Sequence, residues 1–415
     1  MGYKLYSART PEDLLARSEE HNGIQVVSQL SRADLVAPAS RWTSRHLVAY
    51  RLLTHPKTNF LPTLETDHNE QCPLCRTEQP CSQELDYANI DVLLGETPRA
   101  LCTKSEGELM RLSGGAFWAA LARAAHPEIA DEAKAYPRRD RSQVERPGYV
   151  NSASAILGSS SPTQPSSSEF EGDMGDLDED MHEERRNKPE EVTVHLVTRF
   201  LQHTLSLCLV QRPSIVIKRE EVRFRVERKK TTAYIGSAPV TAEDDGGICL
   251  MRQNGVGWEM VYQCLAILEA KRAFQHIRFE ERSGNYTPTV SNAHLAQYLG
   301  EAVVTWKDNQ EYLANGVFLI AATSTFIRFI HFTFGRDYME YLDAPDQETQ
   351  IDLANDDERD AFAYMHSTDW FNLQLPEGRR IALCHILALV RWHAGDVARQ
   401  AASGLSADDH MDIQE

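Results

Sequence analysis

The chain has 415 residues, of which 42% are hydrophobic and 25% are charged, and its formal net charge is −18 at pH 7. This length is enough for two or three domains, and the composition is ordinary for a soluble globular protein. Because no run of 18 or more apolar residues occurs, the sequence predicts no transmembrane helix and no membrane partner.

The N-terminal segment and the number of cysteines indicate the cellular compartment of the protein. The first residues, MGYKLYSARTPEDLLARSEE, lack an apolar core and a cleavage signal, so no secretory peptide is expected. Eight cysteines without such a peptide indicate reduced thiols. The sequence therefore predicts a nuclear or cytoplasmic protein.

The N-terminal region, residues 1–135, is expected to be mostly helical. Apolar residues recur at helical spacing in RHLVAYRLLTHP, residues 45–56, and in GAFWAALARAAHPEIADEAKAY, residues 115–136. Whether this region packs on the rest of the chain or forms an accessory module is open at this point.

A CxxC motif lies between these two helical segments. Cys72 and Cys75 form the motif in DHNEQCPLCRTEQPC, and Cys81 and His68 are close enough in sequence to complete a set of four Zn²⁺ ligands. The spacing departs from the two well-separated ligand pairs of a typical structural zinc site. Free thiols in a surface loop are therefore the favoured interpretation, with structural Zn²⁺ at Cys72 and Cys75 as the alternative.

Residues 136–189 are expected to form a disordered linker. This stretch is rich in serine and proline and then acidic, with few bulky apolar residues, so it cannot bury enough surface to offset its ordering entropy. Residues 169–191 hold 11 acidic against 3 basic residues, whereas residues 192–342 hold 15 acidic against 17 basic residues. The negative charge is thus concentrated in the linker, and the segment after it could tolerate a polyanionic partner.

The C-terminal part, residues 190–403, shows an α/β pattern, and residues 404–415 are expected to be a disordered tail. In chain order the pattern predicts a helix at 192–210, a strand at 221–228, two strands within 248–274 joined by a hairpin at QNGVG, a helix at 290–309 capped by Ser291 or Asn292, two strands within 316–335 and a helix at 377–400. The expected architecture is a mixed central sheet flanked by helices.

Acidic and basic residues are expected to converge at the end of this hairpin. The segment EDDGGI places Asp244 and Asp245 just before a strand, and CLAILEAK ends the next strand with Glu269 and Lys271. Residues two apart in a strand share a face, so the carboxylate and the amine would lie together. Two carboxylates can bind Mg²⁺, and the lysine can position or help deprotonate a metal-bound water or stabilise charge on a phosphate.

These residues resemble the motif of the PD-(D/E)XK nuclease superfamily, which has a restriction-endonuclease-like fold. Asp245-Gly246 matches its first part, Glu269-Ala270-Lys271 matches its second, and Gln297 matches a glutamine helix that some members place beside the site. The resemblance covers residues 190–345, and the Ser-rich linker is also similar to that of fungal proteins with such a domain. Here Asp244 stands where the family usually has proline, so the choice between the two aspartates is open.

The resemblance implies a nuclease acting on nucleic acid, with DNA preferred over RNA. Asp245 and Glu269 would bind Mg²⁺ or Mn²⁺, Lys271 would orient the attacking water, and Gln297 would support the site. The alternative is a catalytically inactive nuclease fold that serves as a binding or scaffold module. Interpretations without a catalytic role also stay open. In one of them, Glu269 and Lys271 lie at the solvated end of a strand. The basic residues at 223–230 form either a phosphate contact or an ordinary solvated face.

Overall fold

The computed structural model of the chain describes residues 5–69, 72, 74–75, 86–96, 101, 103–125, 190–208, 220–271, 277–280 and 285–408. The predicted linker therefore lies outside the described residues, as do Cys81 and residues 409–415 of the predicted tail. Within the described part, no helix is long and apolar enough to cross a membrane.

The N-terminal region consists mainly of helices. Its elements are α1 (Pro11–Glu20), α2 (Arg32–Leu35), α3 (Ser44–Ala49), β1 (Leu52–Thr54), α4 (Pro62–Asn69), α5 (Tyr87–Gly95), α6 (Glu106–Leu109) and α7 (Gly115–Ala125), with short 3₁₀ turns at Val27–Gln29 and Ala39–Arg41. The helix predicted for 45–56 is wrong in its second half. Arg51 has a φ of 55°, in the left-handed region that cannot continue a right-handed helix, and the chain leaves it as β1.

The C-terminal part supplies most of the sheet. Its elements are α8 (Glu190–Leu207), β2 (Glu220–Arg225), β3 (Lys230–Ile235), β4 (Ala238–Glu243), β5 (Gly247–Asn254), β6 (Gly257–Lys271), β7 (Ile277–Glu280), β8 (Asn285–Pro288), α9 (Asn292–Asp308), β9 (Val317–Thr323), β10 (Phe326–Phe334), α10 (Tyr338–Leu342), α11 (Gln347–Asn355), β11 (Ala363–Ser367), β12 (Phe371–Asn372) and α12 (Pro376–Asp408). The last helix thus continues past residue 403, where the domain was expected to end.

The central sheet is mixed, as predicted. Its strand order is β1-β11-β10-β9-β6-β5-β2, and β12 pairs with β10 as an eighth strand. The strand β5 is antiparallel to both of its neighbours, β2 and β6, whereas β6 and β9 are parallel. The β5–β6 hairpin turns at Gly255, which has a φ of 58° and so satisfies the tight connection predicted at QNGVG. Two hairpins, β3–β4 and β7–β8, lie outside this sheet.

Helices cover the sheet on both sides, and each side has its own apolar core. One core joins α4, α5, α7, α8 and α12 to residues such as Leu268 and Ile320, and the other joins α3, α9 and the β3–β4 hairpin to residues such as Ile267 and Leu319. Neighbouring residues on β6 and β9 alternate between the two cores, as expected for strands covered on both faces. The N-terminal region contributes to both cores and, through β1, to the sheet itself.

Candidate active site

The segment that carries the two central charged residues is a strand, as predicted. The strand β6 contains the whole stretch 264–271, and Glu269 lies beside Ala321 of the parallel strand β9. Leu268 and Ala270 are fully buried in the core that includes α8 and α12. Because side chains alternate along a strand, Glu269 and Lys271 share the opposite face, which α9 covers.

Asp245 reaches the end of β6 because two glycines allow a sharp turn before β5. Its Oδ2 atom accepts the backbone N–H of Ala270 at 3.0 Å. Gly246 has a φ of +125°, and a Cβ on Gly247 would lie 2.4 Å from the carbonyl oxygen of Ala266. Only glycine fits these positions without strain, so the glycine pair holds the Asp245 carboxylate against the Glu-Ala-Lys stretch.

The structure separates the roles of the two neighbouring aspartates. Asp244 is fully engaged, since its Oδ2 accepts from Arg225 Nη2 at 2.6 Å and its Oδ1 accepts the N–H groups of Lys229 and Gly246 at 2.9 and 3.1 Å. Asp245 instead faces the end of β6. Asp245 is therefore the aspartate placed to act with the strand-end residues, and Asp244 stabilises the turn that presents it.

Helix α9 brings an amide and a third carboxyl group to the site. Ser291 caps the helix by accepting the N–H of His294 at 3.2 Å. Gln297 donates from Nε2 to Glu269 Oε1 at 2.6 Å and to Glu301 Oε1 at 2.8 Å. Glu301 is an addition to the residues predicted from the sequence. Its position four residues after Gln297, on the same helix face, was the signal that could have found it.

Burial gives the carboxyl groups unusually high affinity for protons. It raises the pKa of Asp245 above the ordinary range and, although the Lys271 charge opposes it, raises the pKa of Glu269 to about 7. Burial and the nearby charge of Glu269 raise the pKa of Glu301 well above its ordinary value. As a carboxylate, Glu301 would leave its Oε2 atom buried without a donor among the described residues, whereas as a neutral acid it donates to Glu269.

Lys271 is the partly buried cation of the site, with a side chain that is 16% exposed. Its Nζ atom forms an ion pair with Glu269 Oε1. Burial lowers the pKa of Lys271, but the charges of Glu269, Glu301 and Glu190 outweigh that effect and raise the pKa above its usual range. An ammonium cannot accept a proton. Of the roles considered from the sequence, stabilising negative charge and orienting water fit this environment, and deprotonating water does not.

The basic residues at 223–228 have three different environments. The side chain of Arg225 is 4% exposed and is paired with Asp244, so it is neither a solvated charge nor a phosphate contact. Arg228 is different, because its side chain is 51% exposed while its Nη2 atom lies 3.0 Å from Asp245 Oδ1. Arg223 stacks over Trp258, with its guanidinium carbon 4.1 Å from the ring centre. Arg228 is thus the basic residue at the open side of the site.

A separate group of residues that could hold a metal ion lies where the segment after α4 meets α12. The ligand atoms of His68, Cys72, Cys75 and Cys384 all lie within 4.8 Å of one another, and in the described part of the chain these are the residues that form a compact His/Cys group. We call this group the cysteine cluster. It includes the CxxC predicted from the sequence, but Cys384 of α12 supplies the fourth position that had been assigned to Cys81.

A cavity of about 420 Å³ lies between the first half of β6, the turn after α9 and the middle of α12. Its walls include Tyr262, Tyr312 and Trp392, and none of the four predicted site residues lines it. The acidic site at the end of β6 is therefore a different feature from this cavity.

No family model, curated protein or solved structure matches this chain. Function must therefore be inferred from the side chains themselves: buried carboxyl groups, one partly buried amine and one buried amide lie together where β6 ends.

Proposed function

We propose that this protein is a metal-dependent nuclease that hydrolyses phosphodiester bonds of nucleic acid, with DNA as the expected substrate. The observation that carries the proposal is the convergence of Asp245, Glu269 and Lys271, with Gln297 of α9 bound to Glu269. Two carboxylates and an ammonium at one point can hold a hard divalent cation and balance the charge of a phosphate.

The order of the core elements supports the resemblance to the PD-(D/E)XK superfamily. The elements α8, β2, β5, β6, α9 and β9 follow the helix, three strands, helix, strand order of that restriction-endonuclease-like fold, with antiparallel pairing in the first three strands and parallel pairing of β6 with β9. The β3–β4 hairpin is an insertion between the first two strands. Glu190, whose charge acts on Lys271, supplies an acid at the start of the first helix.

Asp245 and Glu269 are the residues that would hold Mg²⁺ or Mn²⁺. Their oxygen atoms are the ligands that such hard cations prefer. Burial raises the pKa values of Asp245, Glu269 and Glu301, and the nearby carboxyl groups add to this effect, so a divalent cation could replace protons there. When bound, Mg²⁺ supplies Lewis-acid polarisation of the phosphate and lowers the pKa of water.

The remaining residues would position the substrate and balance its charge. Lys271 would orient the attacking water and stabilise the negative charge that develops on the phosphate. Gln297 fixes the orientation of Glu269 through its hydrogen bond, and Glu301 holds Gln297 in turn. Arg228, half-exposed beside Asp245, is placed to contact a phosphate of the nucleic acid backbone.

The direct test is cleavage of labelled DNA by the full chain with Mg²⁺ or Mn²⁺ and in buffer without divalent cations. We expect metal-dependent cleavage by the wild type and a loss of about a hundredfold or more in rate for Lys271→Ala, because a positioned charge that stabilises the transition state contributes at least that much. Parallel reactions with RNA would establish the preferred nucleic acid.

Lys307→Ala is the matched control, since Lys307 is also partly buried and ion-paired, with Asp343, but lies at the far end of α9. Its rate should stay close to that of the wild type. Cleavage that is equal in the wild type and Lys271→Ala would contradict the proposal and indicate a contaminating nuclease.

The second candidate is an inactive nuclease fold that serves as a binding module. One observation favours it: Glu269 Oε1 already accepts from both Lys271 and Gln297, so the pair could be a purely structural polar core. Calorimetric titration with Mn²⁺ separates the two candidates. Absence of binding to folded protein, together with absence of cleavage, would favour the binding module.

A further inference from the structure

The cysteine cluster joins two parts of the chain that are far apart in sequence. His68 lies in the last turn of α4, Cys72 and Cys75 follow it, and Cys384 lies in the third turn of α12. The backbone N–H of Cys72 donates to the carbonyl of His68 at 2.8 Å, and that of Cys75 donates to the carbonyl of Cys72 at 3.4 Å. The chain therefore turns tightly between His68 and Cys75. Cys72 and Cys384 are buried, whereas Cys75 reaches the surface.

The distances within the cluster are those of four ligands around one ion. Cys384 Sγ lies 3.6 Å from Cys72 Sγ and 3.8 Å from Cys75 Sγ, and His68 Nε2 lies 3.3 Å from Cys75 Sγ. Zn–S bonds of about 2.3 Å and Zn–N bonds of about 2.0–2.1 Å at tetrahedral angles place sulfur atoms about 3.8 Å apart and sulfur and nitrogen about 3.6 Å apart. These three of the six separations differ from the ideal values by about 0.3 Å at most, and all six are within 4.8 Å.

The alternatives explain the arrangement less well. A disulfide requires two sulfur atoms about 2.05 Å apart, and these pairs are well beyond that distance. Three thiols and an imidazole gathered only for packing would have no reason to direct their polar atoms at one point. Arg380 also donates from Nη1 to Cys75 Sγ at 2.9 Å, which suits a sulfur atom that carries negative charge.

We propose that His68, Cys72, Cys75 and Cys384 bind one structural zinc ion that fastens the segment after α4 to α12. Three cysteines and one histidine form a closed tetrahedral set with no position for a substrate, which is the pattern of structural rather than catalytic zinc. Soft sulfur ligands select zinc over Mg²⁺. This site is independent of the proposed nuclease site, whose ligands are oxygen atoms on the other side of the sheet.

Metal analysis of the full chain tests the site. We expect tag-free protein from zinc-supplemented cells to contain about one zinc per chain by elemental mass spectrometry, because a preformed set of four ligands binds this ion tightly. Cys384→Ser should lose the zinc, and a zinc chelator should lower the melting temperature of the wild type. The matched control is Cys208→Ser, another buried cysteine outside the cluster, which should keep its zinc.

A second measurement covers the case in which Cys384→Ser does not fold. Protein reconstituted with Co²⁺ should show the visible bands of tetrahedral cobalt and a sulfur-to-cobalt charge-transfer band, and that band should weaken in Cys75→Ser, which changes only the exposed ligand. Glu269→Gln should leave both signals unchanged, so failure of the nuclease proposal would not affect this result. Folded wild-type protein that takes up neither zinc nor cobalt, or that contains a disulfide among these cysteines, would overturn the proposal.

Discussion

Asp244 and Asp245 are adjacent in sequence and buried to the same extent, but their side chains have different hydrogen-bond and ion-pair partners. Asp244 has a buried arginine and two backbone N–H groups to satisfy it, which makes it a structural anion. Asp245 faces a strand end that already carries one carboxylate, and burial raises its pKa although Arg228 and the N–H of Ala270 stabilise its charge. Only the fold distinguishes the two residues, because the direction of each side chain depends on the turn made by the glycine pair.

The two aspartates should therefore respond differently to the same substitution. Asp244→Asn leaves Arg225 without its buried partner, so we expect it to lower the free energy of unfolding by on the order of 3–5 kcal/mol, as measured in urea. Asp245→Asn should lower stability less but abolish Mn²⁺ binding and cleavage. The outcome that would contradict this assignment is the reverse pattern, with metal binding lost in folded Asp244→Asn and retained in Asp245→Asn.

At the scale of elements, the strongly patterned segments were predictable and the short ones were not. The β5–β6 hairpin and α9 have long periodic sequences, a glycine turn and a serine cap, and the structure confirms all of them. The strands β1 and β12 have only three and two residues, too few for any periodicity to show. The β3–β4 hairpin was missed because three of its five buried positions hold the small side chains of Thr231, Ala233 and Ala242, so that its apolar alternation is weak in the sequence.

Helix α9 explains why the site holds a proton. Its spacing sets Gln297 and Glu301 on one face, one turn apart, and that face lies against Glu269. Two buried carboxyl groups next to one lysine cannot both be charged at little cost. In the absence of a metal ion, folding therefore takes up a proton at Glu269 and Glu301 that the unfolded chain would release.

This uptake predicts how stability depends on pH. Between the ordinary pKa of 4.5 and the raised pKa of about 7 at Glu269, the folded state holds a proton that the unfolded chain has lost, so stability falls as the pH rises. In buffer without divalent cations, we expect these two carboxyl groups to lower the free energy of unfolding by about 1–3 kcal/mol across this window, at about 1.4 kcal/mol for each unit of pKa shift. Histidines such as His331 and His385, whose pKa values burial lowers, act in the opposite direction, so the carboxyl contribution is read from the difference between the wild type and a variant that lacks one of the two groups. Urea unfolding at several pH values measures it.

Glu301→Gln replaces the neutral acid by a neutral amide of the same size. The decrease in the free energy of unfolding with rising pH should be smaller in this variant, because one of the two groups no longer titrates. Added Mn²⁺ should reduce the same decrease in the wild type by taking the place of protons. A wild type and variant with the same pH dependence would show that Glu301 is not the proton carrier.

At the scale of the whole molecule, the two parts of the chain on either side of the predicted linker form one compact unit. The strand β1 pairs in parallel with β11 at the edge of the sheet, and the ring of Phe117 lies 5.4 Å from that of Phe200 of α8. Cys384 completes a cluster that begins at His68. Sequence patterns could not reveal these contacts, because periodicity describes which face of an element is apolar but not which distant element covers it.

The same contacts predict that the two parts will stay together when the covalent link between them is cut. We would insert a specific protease site near residue 160, in the middle of the Ser-rich stretch, and cleave the folded protein. Because buried apolar residues from both sides fill the same cores, the two pieces should elute together in gel filtration and keep a melting temperature close to that of the uncut chain.

Adding a zinc chelator to the cut protein should weaken the association, since the cysteine cluster then no longer bridges the pieces. Pieces that separate without denaturant would show that the N-terminal region is an accessory module after all, loosely attached to a self-sufficient C-terminal domain.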